Sequence, residues 1–291
     1  MQNLKNIVSE TQLVRTINDL VQSFEQIYVT KMQHVRQSVL ETRTFNEGIN
    51  NLFFELKAAY HQQVLEIIEK RRKNLQLMNI AYKQKETVAV LLSANEKLSG
   101  DINQKVFNNF YNYIQEHKDI DIVIAGKSGK KLFDQKSTDR AYHYYDLPEE
   151  AVGIQSLRQI INNLLEYKQV KVFYGKFNNF INQVETMSDI SGESENEDTK
   201  LVKHQKKFLF EPSLDEILEY FENQIFTALF KQTVHESYLA QIGSRIMSLE
   251  STSAKIQEKL KLLDYEEKRA IKQKRNKKQL QSMAGITYWR K

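Results

Sequence analysis

The stretch Ile-Ala-Gly-Lys-Ser-Gly-Lys-Lys at residues 124–131 contains a Gly-Lys-Ser triplet, the end of the loop that wraps nucleotide phosphates. That loop needs another glycine five residues before the Gly of the triplet, so that its backbone amides can close around the phosphates. The residue there is Asp121, and the stretch reads instead as a βα turn with two glycines. No dinucleotide fingerprint follows a strand-like run. The six histidines, at 34, 61, 117, 143, 204 and 235, are too scattered to build a metal site. No serine lies in a nucleophile elbow, and paired carboxylates fall on helical stretches, where ion pairing accounts for them. The expectation is a chain with no active site, no metal and no cofactor of its own.

One charged feature has a shape. From Glu266 the sequence EEKRAIKQKRNKKQLQSMAGITYWRK carries nine Lys or Arg against two Glu, and ends with Tyr288 and Trp289 near the terminus. A basic stretch with aromatics fits nucleic acid, a solvated helix face, or contact with an acidic partner surface.

The elements that would carry these residues follow from periodicity. Ile242, Leu249, Ile256, Leu263 and Ala270 repeat every seven residues, with Ile246, Ser253, Leu260 and Glu267 at the half-steps, the pattern of a coiled-coil strand. A second heptad stripe runs through Ile7, Val14, Val21, Tyr28 and Val35, with Ile17, Phe24, Met32 and Val39 as companions. Pro212 followed by Ser213 and, three residues on, Glu216 marks a helix start. At about 1.5 Å per residue the two helices reach roughly 75 and 100 Å. Such lengths exceed a compact domain, so they are expected to wrap around each other antiparallel. The only prolines are Pro148 and Pro212, and most glycines lie between residues 100 and 192.

Between the helices the sequence changes character. Residues 86–94, 119–126, 141–147 and 169–177 are short β-branched or aromatic runs, with helical stretches near 102–117 and 152–167. This alternation predicts a small, largely parallel α/β layer. The runs FINQVETM and KKFLFEP are expected to add edge strands, and residues 188–199, acidic and free of aromatics, read as a solvated loop. The predicted fold class is α/β with a long α-helical extension. A two-helix antiparallel coiled coil is formed by residues 1–57 and 212–282, a Rossmann-like α/β domain is inserted at 75–208, and 283–291 is a tail. There is no run of about eighteen apolar residues, no signal-like start and no cysteine, which makes the cytoplasm the expected compartment.

The order of motifs resembles the gamma subunit of F-type ATP synthases along nearly the whole chain. GKSGKKLF matches that family's Gly-x-x-Gly turn followed by an aromatic, at Gly126, Gly129 and Phe133. Ser93, Leu98, Gly100 and Asn103 fall in register with the segment after its first strand, and Lys176 and Phe177 with its Asn-Lys-Phe. Glu211 and Pro212 match its entry into the C-terminal helix. Arg245 lies in its Ala-Arg-Met motif, and Tyr265 and Arg269 in its Tyr-Asn-x-x-Arg. Glu25, Lys31 and Met32 match its N-terminal helix. The departures are Gln22 for a lysine, Phe24 for a methionine, and a far more basic stretch after Arg269.

The resemblance implies a non-catalytic rotor of the central stalk. It would couple ion flow through a membrane ring to ATP synthesis or hydrolysis in a hexamer of three alpha and three beta subunits. It implies an epsilon subunit and a c-subunit ring as further partners, ATP or ADP and Mg2+ held by the partners, and a peripheral place on the cytoplasmic face of the plasma membrane. It places Lys31, Met32, Arg245 and Arg269 as rotor–stator contacts, to which the charge pattern adds Lys272, Lys274, Arg275, Lys277 and Lys278. Two alternatives stand beside this: a gamma-like shaft of a specialised rotary ATPase not devoted to ATP synthesis, and a coiled-coil nucleic-acid-binding or scaffold protein. The last explains the heptads and basic end but not the inserted α/β domain.

Overall fold

The computed structural model describes residues 4–60, 63–64, 66–67, 69–70, 85–95, 100–136, 140–147, 154–179, 182–190, 211 and 213–288. The elements are α1 (Leu4–Ala59), β1 (Lys85–Leu92), α2 (Ile102–Glu116), β2 (Asp121–Ala125), α3 (Lys127–Gln135), β3 (His143–Tyr145), α4 (Ile154–Leu164), β4 (Tyr167–Phe177), β5 (Gln183–Asp189) and α5 (Leu214–Tyr288). The chain divides into two compact units, Lys31–Ser244 and the pair of segments Met1–Thr30 and Arg245–Lys291. The boundary falls inside both long helices.

The unit Lys31–Ser244 is built on a five-stranded sheet in the order β3-β2-β1-β4-β5. The first four strands are parallel, and β5 returns antiparallel along β4. Val88 through Leu92 are buried without a break, as a central strand covered on both faces requires. The pleat sends Val88, Val90 and Leu92 to one face, against Leu157, Ile160 and Leu164 of α4 and Phe226, Phe230 and Val234 of α5. Ala89 and Leu91 go to the other, against Val106, Phe110 and Ile114 of α2 and Phe133 of α3. This packing explains the boundary: the early part of α5 is a covering layer of the sheet. At the far end of α1, Phe53 stacks on Phe221 at 6.0 Å over Leu56 and Leu218. Ser213 caps α5, its Oγ accepting the Glu216 amide at 3.3 Å.

Two sequence expectations change here. Ser188 and Asp189 belong to β5, and Ile190 is buried with its amide donating to the Val170 carbonyl at 3.1 Å. The acidic loop therefore cannot begin at 188, because pairing with β4 carries the strand through 189. Its remainder, 191–199, and the KKFLF run of the second expected edge strand lie outside the described residues.

The other unit is an antiparallel helix pair, α1 up to Thr30 against α5 from Arg245. Glu10 pairs with Lys259 at 3.0 Å, Ser253 Oγ donates to Asn18 Oδ1 at 3.4 Å, and the Arg245 guanidinium lies 4.6 Å from the Tyr28 ring centre. Ile7, Ile246, Leu249 and Leu263 are buried, while Val14, Val21, Tyr28, Ile256 and Leu260 are half-buried. Two of the expected companions are corrected. Ile17 and Phe24 stand exposed, and the inward positions are the polar Thr11, Asn18 and Glu25, four residues after each seam residue. Small or polar partners such as Ser253 let the helices meet there.

Candidate functional site

The glycine turn at the end of β2 is filled by the protein itself. Gly126 takes φ of 102°, in the left-handed region that favours glycine, and opens α3. The amides that would otherwise face an anion are already engaged. The Lys127 amide donates to Asn95 Oδ1 at 2.8 Å, that of Ser128 to the Ala94 carbonyl at 2.9 Å, and that of Gly129 to Ser93 Oγ at 2.8 Å. Ser93 in turn donates to the Ala125 carbonyl at 3.0 Å. The turn joins β1 to β2 and offers no cradle for a phosphate. Outside it lies an open groove of about 610 Å³ lined by Lys127, Lys130, Lys131, Asp134, Tyr144 and Asp146. Its charges face each other, with Lys127 at 3.7 Å from Asp146 and Lys130 stacked 4.9 Å over Tyr144.

Among the described residues the histidines stay apart. His34, His117 and His143 are exposed on different elements, and His61 and His204 lie outside the described residues. Burial, then the neighbouring Lys231 charge, lowers the pKa of His235. Among the described residues no three His, Asp or Glu side chains come together as metal ligands.

The expected contact residues separate into two groups. Met32 is buried and Lys31 half-buried on α1. Arg245 is completely enclosed, its guanidinium over Tyr28, so it cannot serve as an outward contact. A heptad seam and a buried cation–π pair need the same inward position, and sequence alone did not separate them. Val35 is half-buried and Ile242 buried, as seam residues.

The basic group is the reverse. Arg269 and every residue from 271 to 283 are exposed, including Lys272, Lys274, Arg275, Lys277 and Lys278. Lys268 is held by Asp264 at 2.6 Å, and that hydrogen bond raises its pKa. Geometry explains the exposure. With Glu10 opposite Lys259 in an antiparallel pair, α1 from Leu4 reaches to about residue 265, so among the described residues roughly 30 Å of α5 has no partner helix. A single helix that is polar all round gains little from its own chain and is marginal alone. The arrangement is a charged helix end that bears several exposed like charges, suited to binding an anionic surface.

Sequence reading missed the polar contacts between the helices of the unit Lys31–Ser244. Arg43 pairs with buried Glu236 at 2.9 Å, and Asn46 Nδ2 donates to Gln232 Oε1 at 2.6 Å and to the Ala228 carbonyl at 3.3 Å. Asn46 falls seven residues after Val39, on the same stripe, which is the signal that would have found it.

A family model described as ATP synthase matches residues 3–275. The ATP synthase gamma chain of Ruthia magnifica subsp. Calyptogena magnifica is 22% identical over 263 residues, covering 86% of each chain. That of Mycoplasmopsis pulmonis is 20% identical over 260 residues, covering 87% of this chain and 88% of its own. Among solved structures, a chain of the central stalk and c-ring of the Tetrahymena thermophila mitochondrial ATP synthase superposes with a TM-score of 0.56 at 16% identity, covering 80% of this chain and 99% of that one. A chain of the Euglena gracilis mitochondrial ATP synthase gives 0.53 at 14% identity, covering 89% and 94%. At these identities the structures speak for the fold.

Proposed function

Because the chain belongs to the gamma-chain family of ATP synthases, we propose that it is the rotor shaft of such a complex, turning inside a ring of three alpha and three beta subunits. The observation that carries the reading is the family match over residues 3–275 in a chain whose ends are single helices of 56 and 75 residues. At 1.5 Å per residue these run to about 85 and 110 Å. An antiparallel pair presents different side chains at each angle around its axis. Each beta subunit therefore meets a different face and is biased toward a different nucleotide affinity, a population shift driven by rotation. The chain itself catalyses nothing; ATP or ADP and Mg2+ sit in the partner subunits.

The bare basic end of α5 is the part we assign to carboxylates of the beta subunits. Exposed ion pairs contribute only about 0–1 kcal/mol each, which suits a contact that is released at every step. The α/β unit is assigned to the epsilon subunit and the c-ring, through which ion flow is coupled to rotation. No helix among the described residues is long and apolar enough to cross a membrane, which fits a peripheral subunit on the cytoplasmic face. The test is purification of the tagged chain under native conditions. Two homologous nucleotide-binding chains should arrive with it, three copies of each per copy of this one. Their absence, with nucleic acid in their place, would refute the reading.

A further inference from the structure

In an open sheet of parallel strands, ligands lie outside the carboxyl ends of the strands, where the strand order reverses. Here that point falls between β1 and β4, and the protein fills it. A Cβ added at Gly175 of β4 would stand 2.8 Å from Ile102 Cγ1 and 3.2 Å from Ala240 Cβ. One added at Gly243 of α5 would stand 3.1 Å from Gln183 Nε2 and 3.2 Å from Phe177 Cε2. Gly100 abuts Ser244 in the same way, so α5 occupies the usual crevice. The carboxyl ends of β2 and β3 are different. Lys127 follows β2 and Asp146 follows β3, and both line the open groove of about 610 Å³, a volume within the ~300–1,000 Å³ of small-molecule clefts.

The lining carries three kinds of group. Lys127, Lys130 and Lys131 set three ammonium groups along one side of α3, at i, i+3 and i+4. Tyr144 supplies a ring, over which the Lys130 cation lies at 4.9 Å. Asp134 and Asp146 supply two carboxylates, each steadied by a donor outside the lining. The Tyr142 hydroxyl donates to Asp134 at 2.8 Å, and Asn95 Nδ2 donates to Asp146 at 2.6 Å. A uniformly anionic surface would meet both carboxylates as well as the ammonium groups. The set calls instead for one ligand with anionic oxygens for the lysines, hydroxyl donors for the carboxylates and a flat π-face for the ring. We propose that the groove binds a nucleoside polyphosphate. The phosphate chain lies along the three lysines, the base stacks on Tyr144 in place of the Lys130 ammonium, and ribose hydroxyls donate to Asp134 or Asp146. Such a site goes beyond the rotor reading and stands without it. The lysines are exposed, so salt should weaken the binding.

The test is calorimetric titration of the complete free chain at low salt, with ATP, inorganic tripolyphosphate and polyglutamate as separate probes. ATP should bind and should slow hydrogen exchange in α3 and β3. Lys130→Gln/Lys131→Gln leaves the Lys127–Asp146 pair in place and should weaken ATP binding by about tenfold. Both side chains are exposed, so helix content should not change; if it does, Lys131→Gln alone decides, with a loss of several-fold. Tyr144→Leu should weaken ATP several-fold and leave tripolyphosphate unchanged, and any other pattern would take the base off the ring and overturn the nucleoside assignment. An unaltered chain that does not bind ATP at millimolar concentration, or binding that survives the double lysine change, would overturn the proposal outright. Polyglutamate bound more tightly than ATP through the same lysines would assign the groove to an acidic protein surface and overturn it as well.

Discussion

Two glycine-to-alanine substitutions should move stability in opposite directions. Gly129 lies in the first turn of α3, and a Cβ there would stand 2.7 Å from Ser93 Oγ, 2.9 Å from Leu91 Cδ2 and 3.1 Å from Ser93 Cβ. Neither neighbour has room to retreat, since Leu91 is in the core and Ser93 is buried. Alanine must displace the hydroxyl that accepts from the Gly129 amide and donates to the Ala125 carbonyl. Stranding these groups costs about 1–3 kcal/mol, and the overpacking about 1–3 kcal/mol more. The better helix propensity of alanine returns up to about 1 kcal/mol. The net effect of Gly129→Ala is a loss of about 3 kcal/mol. Gly48 is exposed inside α1, eleven residues before its end, with nothing within 4 Å of an added Cβ, so Gly48→Ala should gain about 0.5–1 kcal/mol. The assay is peptide-resolved hydrogen exchange, which reads each region by itself and needs no two-state melt. Gly129→Ala should speed exchange in β1 and β2 by about 100-fold, and Gly48→Ala should slow it in α1 by a few-fold. Unchanged exchange around β1 in Gly129→Ala would refute the view that Ser93 and the glycine turn hold these strands together.

Neutralising Lys272, Lys274, Arg275, Lys277 and Lys278 together should slow turnover of the assembled complex without preventing assembly, and the effect should shrink as salt rises toward a Debye length of about 3 Å at 1 M. Unchanged turnover at low salt would make this end only a solvated face. Arg43→Ala should cost about 1–2 kcal/mol by removing one of the two donors to buried Glu236, the other being Gln232, and an Arg43→Met/Glu236→Leu pair should recover most of it in the same exchange measurement. His235 is held below its ordinary pKa by burial, so the unfolded chain binds its proton more readily than the folded one. Stability should therefore be full above about pH 6.5 and fall as pH drops below it, and His235→Gln should flatten that slope in acid denaturation.

What could be read from sequence depended on how directly burial follows residue type. The strands β1, β2 and β4 were legible because a parallel strand covered on both faces must be a continuous apolar run, and Val88–Leu92 and Ile122–Ala125 are such runs. The short edge strand β5, mostly polar, was recognised, but not its end. Ser188 and Asp189 look like loop residues and are held in line by pairing with β4. The helix seam was legible at one position per heptad, and at the other it was read correctly at Met32, Val39, Ile246 and Ser253 but not at Ile17 and Phe24. Asn18 faces inward where Ser253 stands across from it, which periodicity does not register, and the apolar Ile17 and Phe24 drew attention away from it and from Thr11 and Glu25. Arg245 shows the same limit from the other side. Its motif marked it as important, but a buried cation over Tyr28 and an exposed contact have identical letters. The basic end was readable as charge, whereas its exposure among the described residues depends on how α1 and α5 are aligned.

The polar contacts between the long helices have a consequence for alignment. A heptad seam repeats itself, so either helix could slide past the other by seven residues, about 10 Å, and still find apolar residues opposite apolar ones. Asn46 with Gln232 and Ala228, and Arg43 with Glu236, have no equivalent at the shifted positions. A slip in that unit would strand Asn46 and Glu236 in a dry interior, at about 1–3 kcal/mol for each group left unsatisfied. In the other unit Asn18 meets Ser253 and Arg245 is seated over Tyr28, while the exposed Glu10–Lys259 pair adds little. The apolar majority of the seam supplies adhesion, and a handful of polar residues decides which of its equivalent alignments is occupied. Lengthwise shear is thereby opposed in each unit by its own keys, as in a shaft whose two halves are pinned as well as glued.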